Sequence, residues 1–69
     1  MRAVLTIQNK DGTYDEVGTM NRSIVGPATS MKSLITQSRA VTWGRPARLE
    51  IYNGTSINGD PKEVKYLDL

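Results

Sequence analysis

The residues best suited to bind another molecule are concentrated in one ten-residue stretch, RAVTWGRPAR, at positions 39–48. It contains the only tryptophan of the chain, Trp43, and three of the five arginines, Arg39, Arg45 and Arg48. An indole ring can stack on a nucleobase or fill a pocket in a partner protein. A guanidinium group pairs with phosphate or carboxylate. The stretch is therefore a candidate binding site.

The same stretch lies within a segment that carries only positive charge. Residues 17–49 contain five basic residues and no acid, whereas residues 1–16 and 50–69 carry net charges of −1 and −2. We expect the basic side chains to share one positive face that attracts phosphate or an acidic protein surface. The alternative is that a few charges on a small domain segregate by chance. The predicted partner-binding residues are Arg22, Lys32, Arg39, Trp43, Arg45 and Arg48.

Trp43 has two interpretations. We expect it to pack against the core just after the helix ends, which would leave the neighbouring arginines as a solvated rim. In the alternative, Arg39, Trp43, Arg45 and Arg48 form a small nucleic-acid-binding surface. The sequence lacks the aromatic strand motif, the glycine loop and the helix-turn-helix pattern of common nucleic-acid-binding domains.

Composition argues against catalysis and against metal binding. The 69 residues include no cysteine and no histidine, which excludes zinc fingers, iron–sulfur centres, thiol nucleophiles and the Ser-His-Asp triad. Asp15 and Glu16 are adjacent and Glu50 is isolated, so no carboxylate pair converges. We expect one domain over residues 1–69, no cofactor and no enzymatic activity.

Hydropathy also limits the location of the protein. The opening MRAVLTIQNKDG is too short and too alternating for a signal peptide, and no run reaches membrane-spanning length. We therefore expect a cytoplasmic protein with no membrane partner.

The first half of the chain predicts a β-hairpin followed by a helix. Residues 2–8 alternate around Ala3, Leu5 and Ile7, as in a half-buried strand. The turn signal at residues 9–12 precedes a second predicted strand at 13–20, and residues 21–26 are predicted to be a connection.

A helix is predicted over residues 28–40, with Pro27 at its start and Ser30 or Thr29 as the alternative N-cap. Its apolar stripe has helical spacing. The stripe comprises Ala28, Met31, Leu34, Ile35 and Ser38.

Two further strands complete the predicted fold. Residues 47–53 place Leu49 and Ile51 inward, residues 53–61 form a loop, and residues 63–69 form the last strand. The order β-β-α-β-β predicts an α+β fold, an antiparallel four-stranded sheet with one helix on one face. We expect the helix to cover Leu5, Ile7, Leu49, Ile51 and Val64. We expect Val4, Tyr52 and Leu67 on the open face, a candidate dimer surface.

Three segments carry a resemblance to a known family: MRAVLTIQ, the helix ATSMKSLITQSRA, and PARLEIYNG. In this layout the chain resembles small phage-encoded anti-CRISPR proteins that block the type I-F surveillance complex. The NGTSINGDP loop departs from the tight final hairpin of that pattern, and no functional residue is carried across. The resemblance implies a cytoplasmic, non-enzymatic protein that binds a large nucleoprotein target.

The sequence therefore leads to three functional hypotheses. The first is a phage- or mobile-element-encoded inhibitor that contacts a host defence complex through a basic face. The second is a small nucleic-acid-binding domain, and the third is an assembly protein that forms a homodimer through the open face of its sheet.

Overall fold

The computed structural model describes residues 1–14, 22–54, 57 and 59–69. Over these residues the protein is an α+β fold with four strands and one helix. The elements are β1 (Arg2–Ile7), β2 (Arg22–Val25), α1 (Met31–Thr42), β3 (Ala47–Tyr52) and β4 (Glu63–Leu67). The strands form one antiparallel sheet in the order β2-β1-β3-β4, and α1 packs mainly on β1 and β2. The predicted fold class is confirmed.

The second strand lies later in the chain than predicted. Residues 22–25, expected to be a connection, pair with β1 in the register Ala3↔Val25 to Thr6↔Arg22. Thr13 and Tyr14, at the start of the predicted strand, are not in a strand, and residues 15–20 lie outside the described residues. Residues 22–25 are too few to show a clear alternation of apolar and polar residues in the sequence. Such a short edge strand forms mainly because it pairs with its neighbour β1.

The predicted turn at residues 9–12 is confirmed. The Asn9 amide donates to the Thr13 carbonyl at 2.8 Å and the Gly12 amide to the Asn9 carbonyl at 3.0 Å. Gly12 has a φ of 87°, a conformation that favours glycine.

The helix begins three residues later than predicted and ends two residues later. Ser30 is the N-cap, and its hydroxyl accepts the Ser33 amide at 3.2 Å. Pro27 lies outside the helix, so the prediction that it opens the helix is wrong, whereas the alternative cap Ser30 is confirmed. The capping hydroxyl satisfies a first-turn amide that would otherwise lack a partner, which places the helix start at Met31.

The core lies between α1 and one face of the sheet. The predicted stripe does face the core: Leu34 and Ser38 are fully buried, Ala28 is buried just before α1, and Met31 and Ile35 are half-buried against the cluster. The buried apolar cluster is Ala3, Leu5, Val25, Ala28, Leu34, Ala47, Leu49, Ile51 and Leu67. Leu49 and Ile51 lie inward as predicted.

The face assignment of β4 was wrong. Leu67 is paired with Ala47 and is buried in the core, whereas Val64 is paired with Glu50 and is 45% exposed on the opposite face. Because side chains alternate along a strand, both errors follow from one wrong choice of parity. Ile7 is only half-buried and lies outside the core cluster.

The face of the sheet away from α1, here called the outer face, is less open than predicted. It carries two rows of residues across the strands, Ile24–Val4–Glu50–Val64 and Arg22–Thr6–Arg48–Tyr66. Val4 belongs to it but is buried, and Thr6 is buried too. The expected apolar surface of Val4, Tyr52 and Leu67 therefore does not form, because Val4 is covered and Leu67 faces the core.

Candidate functional site

The C-terminal end of α1 presents the most exposed large hydrophobic side chain among the described residues. Trp43 is 89% exposed, so the prediction that it packs into the core is wrong. Its backbone lies in the left-handed region, with φ 55° and ψ 36°, and its amide donates to the Arg39 carbonyl at 3.0 Å. This conformation turns the chain out of the helix and directs the indole away from the core.

The left-handed conformation is unusual for a bulky residue. Helix ends use it often, but with glycine, because a Cβ atom there costs about 1–2 kcal/mol. Gly44 follows with φ 80° and has open space around its Cα. The fold thus tolerates this backbone cost at a residue whose aromatic ring is exposed. Strain of this kind is a signal of function, argued from the observed backbone.

The arginines beside Trp43 differ in their pairing. Arg39 donates from Nε and Nη2 to the two carboxylate oxygens of Asp68, at 3.3 and 3.2 Å. Arg45 is exposed and forms no ion pair in the part of the chain that the structure describes. We call Trp43 and Arg45, with the Asp68-paired Arg39 and the exposed Val41, the Trp43 site.

The C-terminal end of α1 favours positively charged side chains. The carbonyl end of a helix carries a partial negative charge, so Arg39 in the last turn is stabilised by it. The uncompensated charge of the Trp43 site is the guanidinium of Arg45, which is free to pair with a carboxylate of a partner.

The other predicted site residues lie elsewhere. Arg48 is on the outer face, where its Nη2 lies 3.7 Å from Glu50 Oε1 and its Cζ lies 5.5 Å from the Tyr14 ring centroid. Arg22 is on the same face in edge strand β2. Lys32 lies in the first turn of α1, about 16 Å along the axis from Trp43 at 1.5 Å per residue. The six predicted residues therefore divide among three places and do not form one basic face.

The outer face has a polar cluster that the sequence did not suggest. The rings of Tyr14 and Tyr66 meet edge to face, with centroids 5.4 Å apart and planes at 64°. Thr6 Oγ1, Tyr14 Oη and Arg48 Nε are buried and have no hydrogen-bond partner among the described residues. Tyr14 lies 34 residues from Arg48 in the sequence, so only the folded chain brings them together.

A small cleft lies at the other end of the core. Its volume is about 70 Å³, well below the roughly 300–1,000 Å³ of typical small-molecule sites. The residues that line it are Met1, Met31, Ile51, Asn53, Lys62 and Glu63. It has room for a few water molecules only.

The described residues form neither a metal-binding cluster nor a membrane-spanning helix. No three acidic side chains lie close enough together to hold a metal ion. No helix is both long and apolar enough to cross a membrane.

Comparison with known families, curated proteins and solved structures finds no match to this chain. The fold and the site are therefore interpreted from their own geometry.

Proposed function

We propose that this chain is a non-enzymatic binding protein that inhibits a host defence complex by direct contact with an acidic protein surface. The contact is made by the Trp43 site. The observation that carries the proposal is the 89% exposure of Trp43, held in a left-handed backbone conformation at the end of α1. The resemblance of the sequence to phage-encoded inhibitors supports the type I-F surveillance complex as the first target to test.

Burial of Trp43 would supply much of the binding energy. A large aromatic side chain removes about 150–250 Å² from water when it is buried, or about 4–6 kcal/mol before the costs of association. The hydrogen bond from the Trp43 amide to Arg39 fixes the backbone before binding. A fixed backbone lowers the entropy cost of binding, so the indole is a suitable anchor.

The charges around Trp43 favour a protein partner over a nucleic acid. Tight binding to a phosphate backbone needs several unpaired cations. Arg39 is held by Asp68, and Arg48 lies on the outer face of the sheet beside Glu50. Among the described residues Arg45, two positions after Trp43 in the chain, forms no ion pair. One arginine next to one tryptophan is typical of a protein–protein hot spot.

The direct test measures binding of the tagged protein to the purified type I-F surveillance complex by interferometry. We expect the wild type to bind and Trp43→Ala to weaken binding at least 30-fold, which corresponds to about 2 kcal/mol. Arg45→Glu should also weaken binding at least tenfold. Lys32→Glu makes the same charge change at the other end of α1 and should bind within threefold of wild type.

A parallel titration with labelled duplex DNA separates the two functional classes. Weak binding to DNA in buffer where the complex is bound tightly supports the proposal. DNA binding that is stronger than binding to the complex, and that falls steeply with salt, would overturn it in favour of a nucleic-acid-binding domain. Unchanged affinity of Trp43→Ala for the complex would exclude the Trp43 site as the contact.

A further inference from the structure

Among the described residues, one edge of the sheet is available for pairing with another strand. Within that part of the chain β4 is bonded only to β3, and it ends the strand order β2-β1-β3-β4. Helix α1 makes its main contacts with β1 and β2, at the other side of the sheet. A free strand edge presents unpaired amide and carbonyl groups that can template a further strand.

The side chains of β4 combine exposed apolar groups on one face with opposite charges on the other. Val64 and Tyr66 are 45% and 50% exposed on the outer face. Glu63 and Lys65 alternate with them and lie on the face that carries α1. A single lysine on an edge strand usually opposes pairing. Here an acid two residues away gives the strand one charge of each sign on the same face.

These features define one favoured self-pairing register. A two-fold axis through Val64, perpendicular to the sheet, places Val64 opposite the partner's Val64 and Glu63 opposite the partner's Lys65. The pair occurs twice by symmetry. Tyr66 then lies opposite the partner's Lys62 on the outer face. Directly opposed unlike charges stabilise an antiparallel pair.

The neighbouring symmetric registers are unfavourable. An axis through Lys65 places it against the partner's Lys65, and an axis through Glu63 places it against the partner's Glu63. Like charges directly opposite one another are destabilising in a sheet. The charge pattern of the strand therefore selects the register centred on Val64.

We propose that two copies of the chain associate by antiparallel pairing of β4 with the partner's β4, centred on Val64, to form a continuous eight-stranded sheet. This interface is distinct from the outer-face dimer expected from the sequence. It uses none of the residues of the Trp43 site, so the two proposals are tested by different variants.

The first test is sedimentation equilibrium from micromolar to near-millimolar concentration. We expect wild type to dimerise, Glu63→Lys and Lys65→Glu each to weaken dimerisation at least tenfold, and the double exchange Glu63→Lys/Lys65→Glu to restore it to within threefold. Wild type that remains monomeric throughout would overturn the proposal. Stronger association of Lys65→Glu would show instead that Lys65 protects a monomer from edge pairing.

The second test fixes the register by crosslinking. The chain contains no cysteine, so Val64→Cys introduces one thiol at the proposed axis. Under mild oxidation it should form a disulfide-linked dimer rapidly. Ile24→Cys, which replaces an apolar residue of similar exposure on the opposite edge strand, is the control and should crosslink at least tenfold more slowly. Equal rates, or faster crosslinking through residue 24, would contradict β4 pairing.

Discussion

The two faces of the sheet are built from the same strands but differ in what they bury. The face under α1 buries aliphatic side chains, with Leu5 and Leu49 completely inaccessible beneath Leu34 of the helix. The outer face also buries side chains, but Thr6 and Arg48 there contribute polar atoms that have no hydrogen-bond partner among the described residues. Burial of apolar groups stabilises a fold, whereas burial of an unpaired polar group costs free energy. The covered face therefore supplies most of the stability.

The exposed features that could bind a partner lie outside the buried core. Trp43 and Arg45 follow the helix, and β4 offers its edge to a second copy. A change on the covered face should therefore act on stability, and a change at the Trp43 site or at the β4 edge should act on binding.

The largest expected effect is on the covered face. Leu49→Ala removes a fully buried side chain and leaves a cavity, which should lower the free energy of unfolding by about 2–5 kcal/mol. The matched outer-face change is Ile24→Ala, at a side chain 59% exposed, and should cost less than about 1 kcal/mol. Urea denaturation followed by circular dichroism measures both. If the two variants lose equal free energy of unfolding, the covered face does not contribute more to stability than the outer face.

The second-largest expected change in stability is at Trp43, at the end of α1 and outside both faces of the sheet. Trp43→Gly should raise the free energy of unfolding by about 1 kcal/mol, because glycine adopts the left-handed conformation without a Cβ clash. Trp43→Ala retains a Cβ and should stay within about 0.5 kcal/mol of wild type. If Trp43→Gly is instead less stable than wild type, the indole contributes to packing after all. The same variant should lose binding, which would show that stability is sacrificed for an exposed anchor.

A substitution on the outer face should raise the free energy of unfolding by about as much as Trp43→Gly does. Thr6→Val keeps the shape of a buried side chain and removes a hydroxyl without a partner, so it should stabilise the fold by about 1 kcal/mol. Thr36→Val, at an exposed hydroxyl that donates to the Lys32 carbonyl, is the control and should change stability by less than about 0.5 kcal/mol. A loss of stability in Thr6→Val would show that the buried hydroxyl makes a favourable contact in solution.

The smallest effect concerns the turn that follows β1. The Thr13 hydroxyl and amide, which donate to Asp11 Oδ1 at 2.7 and 3.0 Å, lower the pKa of the exposed Asp11 carboxyl. A lowered folded-state pKa contributes stability above the unfolded-state pKa of the carboxyl, and this contribution is lost as pH falls through the folded value. We expect Thr13→Ala to raise the pKa of Asp11, since it removes the larger of the two causes. Titration of the carboxyl by NMR measures the shift, and an unchanged pKa would contradict this account.

Local patterns in the sequence were sufficient for most elements of the fold. Alternation placed Leu49 and Ile51 inward, and helical spacing identified the buried side of α1 through Leu34 and Ser38. The Asn9–Gly12 turn followed from residues suited to positive φ. Each of these features depends on residues within a few positions of one another, so the sequence alone is enough to predict it.

The site was less predictable. The sequence identified Trp43 and Arg45 as candidates but predicted that the indole packs against the core, because Trp43 comes just after the predicted helix. The indole is exposed because the backbone of Trp43 is left-handed at the helix end. The identity of the residue does not predict this conformation. Asp68 as the partner of Arg39, and Tyr14 as the neighbour of Arg48, are separated from them by 29 and 34 residues, and no local pattern connects them.

The sequence by itself determined the order of the elements, the turn after β1 and the inward residues of β3, because periodicity and turn chemistry act over short distances. Only the tertiary structure decided that Leu67 rather than Val64 faces the core, that Trp43 is exposed, and that the basic residues divide between the helix and the outer face. These outcomes depend on strand register and on where the helix stops. Both are set by the packing of distant segments against one another.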